Sequence, residues 1–334
     1  MNIRQNCISR FSCLSVCKYF FVLTGMLSVS IAALSVEPVA DLTPPGQLVD
    51  IGTHKMHLHC KGEADRPVII LESGLGGFSL EWDTVQTDLS RTNHVCTYDR
   101  SGYGWSESSP RQRSSREIAR ELYLLLKTAG IPAPYILVGH SFGGYNIRYF
   151  ASEYPALVSG LVFIDSSHPE QFIRMPKPVV GEIKEEVSRN RGWQIRLAMP
   201  RLAENFPEHY RRTAYILMST SKARNTQLQE LELFKTSAQQ VIENDHLPDV
   251  PISVISRGMR VWPRNDFGDH SELVWNKLQN ELASLGKHSI HVIAGRSGHS
   301  IHLDQPALVN HVLSELVAVS SQAAPPATLV VRKW

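Results

Sequence analysis

Short, nearly unbroken apolar runs recur along the chain, each ending in glycine, serine or a charged residue. "PVIILESG", "HVCTYDRSG", "YILVGHS", "SGLVFIDSS", "VPISVIS" and "SIHVIAG" have the form of strands covered on both faces. Ahead of them, "QLVDIG" and "HKMHLHCKG" read as a hairpin turning at Gly52 and Thr53. The segments between the runs have a helical period. "SSREIARELYLLLKTAG" spaces Ile118, Leu122, Leu125 and Leu126 on one face and stops at Gly130. "SELVWNKLQNELASLG" predicts a second helix, and the stretch from Pro306 to about Ser320 a last one. Strands alternating with helices imply a mostly parallel sheet flanked by helices on both faces. Residues 169–247 interrupt the alternation with a helix-rich, Arg-rich stretch, expected to be a cap over the strand ends where such sheets bind ligands. The expected organisation is therefore a core of 46–168 and 248–322, a helical cap at 169–247, and a flexible tail at 323–334.

Composition changes this picture little. Of 334 residues, 43% are hydrophobic and 20% charged, and the net charge is +2. Those values suit one large globular domain and supply no global field for nucleic acid. Cys60 and Cys96 are the only cysteines beyond the first segment. Two cysteines make no disulfide framework, so two buried free thiols are expected, with a bridge as the alternative. The N-terminus adds more. Arg4, Arg10 and Lys18 precede the apolar run "YFFVLTGMLSVSIAAL" at 19–34, followed by small residues. That order describes a secretory signal over 1–35. An uncleaved anchor is the alternative, and the one route by which a membrane enters the reading. Either way the body is expected to be periplasmic or secreted.

The candidate chemistry begins at "LVGHSFGGYNIRYF". Gly139, Ser141 and Gly143 form G-x-S-x-G between an apolar strand and a helical pattern. Such a turn is so tight that it strains the serine and lifts its hydroxyl off the sheet edge, with a helix starting behind it. A serine hydroxyl needs a base. "AGRSGHSIHLDQPALV" offers His299 on a loop between the last predicted strand and the last helix, and His302 reads as packing or surface.

Together "LESGLGG", "YDRSGYGWSE", "LVGHSFGG", "VFIDSSHPEQF" and "SGHSIHLDQP" resemble the α/β-hydrolase fold superfamily from about residue 46 to 320. The likeness extends to a bacterial esterase-like branch. It implies an eight-stranded, mostly parallel sheet with a helical cap, Ser141 as nucleophile and His299 as base. It also implies an oxyanion hole made by the N–H groups of Phe142 and Leu75, the latter on a loop freed by Gly74, Gly76 and Gly77. Relatives often carry histidine where this chain has Ser73. They also carry their acid just after the strand "PISVIS", where this chain has Arg257, Gly258, Met259 and Arg260. Three aspartates remain: Asp165 at the end of "LVFID", favoured because a strand end positions a side chain well, or Asp266 or Asp269 in "RNDFGDH". A turn-capping role is the competing reading of Asp165.

Other signals have plainer readings. His57, His59 and Cys60 are expected to be a sheet-face cluster rather than a metal site, because no further ligand completes one. Asp99 and Arg100 are expected to hold loops. Arg189, Arg191, Arg196, Arg201, Arg211 and Arg212 read as a solvated cap surface. Trp193, Phe206, Tyr210, Tyr215 and Phe234 are expected to line the cap. The expected activity is cleavage of a small-molecule carboxylic ester or lactone through an acyl-enzyme, without metal or organic cofactor. Export suggests a xenobiotic, antibiotic or lipid ester. Amidase, peptidase and acyltransferase chemistry would use the same residues, and a non-catalytic binding protein is the rival of another class. Dehalogenase and epoxide hydrolase relatives are disfavoured, since they place aspartate where this chain has Ser141.

Overall fold

The apolar runs form strands because both of their faces are covered. Val68–Glu72 (β3), Val95–Tyr98 (β4), Tyr135–His140 (β5) and Ile252–Arg257 (β7) are buried at every position, and Val158–Ile164 (β6) at all but one. The computed structural model describes residues 42–63, 67–176, 208–286, 288–320 and 328–334. Among these, Gln47–Asp50 (β1), Lys55–Lys61 (β2), His288–Ala294 (β8) and Thr328–Lys333 (β9) complete a nine-stranded sheet in the order β1-β2-β4-β3-β5-β6-β7-β8-β9. β1–β2 and β2–β4 are antiparallel, and every other pairing is parallel.

Alternate residues of each strand serve opposite faces. Ile70 and Leu137 join a core built with the helices Ser115–Thr128 (α2) and Gly143–Glu153 (α3). Ile69, Leu71, Ile136 and Val138 join another, with Asp83–Leu89 (α1) and Pro306–Ser320 (α10). Among the described residues, four more helices follow β6: Gln171–Arg174 (α4), Glu208–Met218 (α5), Ser221–Glu232 (α6) and Phe234–Glu243 (α7). Asp266–Ala283 (α8) follows β7, and the short Ile301–Asp304 (α9) follows β8.

Three expectations are corrected. The tail does not hang free, because Thr328–Lys333 pairs along β8 from His288↔Thr328 to Ile293↔Lys333 and makes nine strands of the expected eight. Cys60 and Cys96 are not free thiols but a disulfide. They are register partners on β2 and β4, two strands that the chain separates with β3. Finally, "RNDFGDH" is not a long loop. Asn265 caps α8, its side chain accepting the Gly268 N–H at 2.8 Å, so the helix begins well before the predicted start at Ser271.

The segment read as a signal or anchor (1–35) lies outside the described residues, as do Trp193, Phe206, Arg189, Arg191, Arg196 and Arg201. No helix among the described residues is long and apolar enough to cross a membrane. In the described part of the cap, Tyr215 points outward at 61% exposure, against its expected lining role. Phe234 does turn inward, its ring 4.9 Å from that of Phe142 and 5.4 Å from that of Tyr145.

Candidate active site

Strand order reverses around β3, which has β4 on one side and β5 on the other. Open sheets bind ligands where order reverses, beyond the C-terminal ends of the strands. The loops leaving β3 and β5 carry "SGLGG" and "SFGG".

Ser141 follows β5 directly, at φ 51. A left-handed serine is strained and persists only where its surroundings enforce it. Here the Ser141 N–H donates to the Ile164 carbonyl at 3.1 Å, and the Ser141 carbonyl accepts the Ser167 and Gly144 N–H groups at 3.0 Å each. The elbow closes so tightly that a Cβ on Gly139 would meet the Gly143 carbonyl oxygen at 2.7 Å, which accounts for the two flanking glycines. α3 starts at Gly143, so Ser141 sits at the positive end of an 11-residue helix.

The β3 loop lies against this elbow. A Cβ on Gly74 would come within 3.2 Å of the Ser141 Cβ. Gly74 to Gly77 form a turn in which the Gly77 N–H donates to the Gly74 carbonyl at 3.1 Å, and Gly76 takes φ 78. That conformation at the third turn position is glycine territory. Within the described residues, neither the Leu75 N–H nor the Phe142 N–H donates to a protein acceptor. The two donors expected for an oxyanion hole are thus unspent, on loops that touch. Ser73, where relatives often have histidine, instead accepts the indole N–H of Trp82 at 3.0 Å.

His299 lies on a tethered loop between β8 and α9. Gln305 Oε1 accepts the Arg296 N–H and the Ser297 hydroxyl, Asp304 accepts the Gly298 N–H, and the Ser297 carbonyl accepts the Met259 N–H. The His299 carbonyl meets His140 Nε2 at 3.0 Å, and the two rings stand 4.8 Å apart. The residue preceding Ser141 therefore holds the loop that carries the candidate base.

Of the three aspartates, Asp165 is the one brought to His299. Its Oδ2 lies 2.6 Å from His299 Nδ1. Asp165 follows β6 directly, at φ 38, its N–H donating to the Ile255 carbonyl at 2.7 Å. Ser141 and Asp165 therefore share a left-handed backbone, and each bonds to the neighbouring strand. Asp266 and Asp269 stand exposed in the first turn of α8, where a helix N-terminus favours carboxylates, and Asp269 pairs with Arg260.

The position after β7 is filled by a cation rather than an acid. Arg257 is buried and reaches across to Asp165, its NH1 lying 3.1 and 2.9 Å from the two carboxylate oxygens. Its NH2 donates to Glu272 Oε2 at 3.1 Å. The guanidinium lies 4.6 Å from the Trp262 ring centroid and 5.1 Å from that of Trp275. Trp275 Nε1 donates to Asp165 Oδ1 at 2.8 Å. Burial alone would raise the Asp165 carboxyl, but the Arg257 charge and the His299 hydrogen bond outweigh it and hold it well below the carboxylate range. The sequence reading missed Arg257, Trp275 and Glu272. One signal was available: a strand this apolar ends in arginine, and a buried arginine implies a buried carboxylate nearby.

Three clusters among the described residues gather possible cation ligands. Cys60, His94 and Cys96 have both sulfurs in the disulfide, and Glu170 and Glu281 beside His168 are paired with Arg174. Glu81, His140 and His302 are all buried. Burial pushes Glu81 up to about 7 and His140 down to about 3, and holds His302 low as well. His302, expected as packing or surface, is packing: it stacks on Trp82 at 4.3 Å. Because His140 stays neutral at ordinary pH, it adds no charge to repel a protonated His299.

A model of the alpha/beta hydrolase fold family matches residues 67–306. The chain belongs to this family. A 136-residue stretch is 38% identical to a probable transporter, efuK, of Hormonema carpetanum, covering 39% of this chain but 20% of that protein. Over 274 residues, 80% of this chain and 90% of the relative, it is 27% identical to YqjL of Bacillus subtilis. Among solved structures, a putative lipase from Acinetobacter baumannii superposes with a TM-score of 0.60 at 19% identity, over 82% of this chain and 91% of the lipase. At that identity the likeness is one of fold.

Proposed function

We propose that this α/β-hydrolase family member cleaves a carboxylic ester or lactone through an acyl-enzyme. The observation that carries the reading is the 2.6 Å contact between His299 Nδ1 and Asp165, beside a Ser141 held in the left-handed elbow. Asp165 fixes the imidazole so that Nε2 is the free nitrogen, the arrangement a general base requires. Ser141 Oγ attacks the acyl carbon and His299 takes its proton. The carbonyl oxygen becomes an oxyanion facing the Leu75 and Phe142 N–H groups. Collapse breaks the acyl–oxygen bond, and His299 returns its proton to the departing alkoxide. Water, deprotonated by His299, then releases the acid and restores Ser141. In a lactone the departing alcohol remains part of the same product.

The basic, apolar, small-residue order of the N-terminus supports export, and so does the Cys60–Cys96 disulfide, since disulfides persist in oxidising compartments. An environmental, drug or lipid ester is then the substrate class. Cell fractionation tests the location: recovery of the chain in the cytoplasm would contradict it.

Hydrolysis of a short p-nitrophenyl ester and labelling by a fluorophosphonate test the chemistry. Wild-type protein should turn over the ester and be labelled at Ser141, and Ser141→Ala should do neither. Asp165→Asn should lose about 10⁴ in kcat, as the corresponding change does in a comparable triad. A folded wild-type protein that resists the probe and leaves a panel of esters and lactones intact would refute the reading.

A further inference from the structure

Arg100 follows β4 and is buried, with its side chain 1% exposed. A guanidinium has five N–H donors, and here five hydrogen bonds use them. Nε donates to Glu230 Oε1 at 2.8 Å and NH2 to Glu230 Oε2 at 2.9 Å. NH1 donates to Glu72 Oε1 at 2.9 Å and to the Ser73 carbonyl at 2.6 Å, and NH2 to the Gly74 carbonyl at 2.7 Å. Glu72 and the two carbonyls belong to β3 and the candidate oxyanion loop, whereas Glu230 belongs to the cap helix α6. One side chain joins the two.

The geometry of the peptide unit makes this junction specific. In a planar trans peptide the C=O and the following N–H point in opposite directions. The Gly74 carbonyl is turned toward Arg100 and the Gly77 N–H. The Leu75 N–H, on the same peptide, must therefore point away from Arg100, out of the turn. Holding the Gly74 carbonyl sets the direction of the oxyanion donor. The Arg100 guanidinium also lies 5.7 Å from the Phe142 ring centroid, on the residue that carries the second donor.

α6 is seated at other points on the loop after β4, the loop that carries Arg100. Lys222 donates to the Gly104 and Ser106 carbonyls at 3.0 and 2.6 Å, and Tyr103 donates to Glu230 Oε2 at 2.9 Å. A Cβ on Gly102 would overlap Thr226 Oγ1, so helix and loop are in close contact. Withdrawing Glu230 would strip two of the five bonds that fix the guanidinium and free it to rotate away from Gly74.

We propose that Arg100 is a positioning residue through which the cap, by way of Glu230, sets the oxyanion hole. The donor at Leu75 is aligned when α6 is seated and loses its alignment when α6 lifts. Substrate closure under the cap and activation of the acyl carbon then become one event. This inference rests on the serine-hydrolase reading for its kinetic consequence, but not for its structural one.

The test uses the full chain and two variants. Glu230→Gln keeps the shape of the cap contact and removes its charge. Arg100→Lys keeps the charge but cannot bridge two carboxylates and two carbonyls at once. Both are assayed for kcat and KM on a p-nitrophenyl ester and for inhibition by a trifluoromethyl ketone, whose hemiketal oxygen occupies the oxyanion hole. Hydrogen exchange is followed in the peptide spanning 72–79. For Glu230→Gln we expect a fall of about 10-fold in kcat with KM within about 2-fold, and an equal loss of ketone affinity. For Arg100→Lys we expect about 10²–10³, the scale of one lost oxyanion donor. Exchange in 72–79 should rise in both variants while that in α3 holds. Unchanged exchange in 72–79 would overturn the proposal whatever the activity, and so would a fall in kcat without weaker ketone binding. Wild-type protein that ignores both ester and fluorophosphonate would instead defeat the hydrolase reading. The exchange data alone would then decide the link from cap to loop.

Discussion

Asp165 Oδ2 has two nitrogen-bearing neighbours, Arg257 and His299. One is the Arg257 guanidinium at 2.9 Å, and the other is the imidazole of His299, the candidate base, at 2.6 Å. Arg257 therefore tempers the field that Asp165 exerts on the imidazole. Replacing Arg257 by Met removes a positive charge and leaves the carboxylate's field uncompensated, which stabilises protonated His299. The acid limb of kcat/KM against pH should then move upward, by about one unit on the usual scale for one neighbouring charge. A limb that stays in place or moves to lower pH would show that Arg257 does not act on His299 through Asp165. The variant also strands a buried carboxylate, so a stability loss of about 3–5 kcal/mol is expected beside the kinetic shift. The depressed Asp165 adds its own pH signature. Its stabilisation is complete above the ordinary aspartate value of 3.8 and is lost as pH falls below that toward the lowered folded value. Wild type and Asp165→Asn should therefore converge in stability in that acid range, which urea titrations at pH 6 and pH 3 would reveal.

What the elements show of the sequence's legibility depends on distance along the chain. The elbow at Ser141 was readable because strand, turn and helix are contiguous: Gly139, Ser141 and Gly143 constrain one another across a single turn. His299 was readable because one loop carries it. The candidate acid was only narrowed to three residues, since which aspartate meets His299 depends on which strand ends lie side by side. β6 pairs with β7 in parallel, Leu161↔Ile252 to Ile164↔Ile255, and that register lets Arg257 meet Asp165. No local pattern encodes it. The start of α8 was legible but overlooked. Asn265 with Asp266 and Asp269 in the first turn is a helix-start signature, and it leaves both aspartates too exposed to serve as the acid. Cys60 and Cys96 were hidden by the same non-local ordering, because β2 pairs with β4 and not with β3. Their bridge spans a sequence separation of 36. On a loop-closure model it stabilises the fold by about 4 kcal/mol. Reductant, or the Cys60→Ser, Cys96→Ser pair of changes, should therefore lower the unfolding midpoint clearly. A midpoint that does not move with reductant would mean that the bridge contributes nothing to folding.

At the scale of the whole molecule, the sheet's far edge reaches the site. β9 reads as a loose tail because "AAPPATLVVRKW" opens with Ala and Pro. Yet "TLVV" is a strand pattern once β8 offers it an edge to pair with. The pairing continues past the ladder. The Trp334 N–H donates to the Ile293 carbonyl, and the Trp334 carbonyl accepts the Gly295 N–H, each at 3.0 Å. Gly295 opens the loop that ends at His299. Arg332 meanwhile forks onto Glu315 of α10, with 2.9 Å to each carboxylate oxygen. β9 thus covers the exposed edge of β8 and pins the first residue of the base's loop. A chain ending at residue 325 should keep its triad residues and most of the core, because the sheet from β1 to β8 and both helical layers remain. It should nevertheless lose kcat with little change in KM, since the base is loosened and not the cap. Exchange of the 294–300 amides should rise at the same time. If truncation lowers the unfolding midpoint but leaves kcat and those amides as they were, β9 is an edge cover alone, and the Gln305 and Asp304 tethers suffice to hold His299.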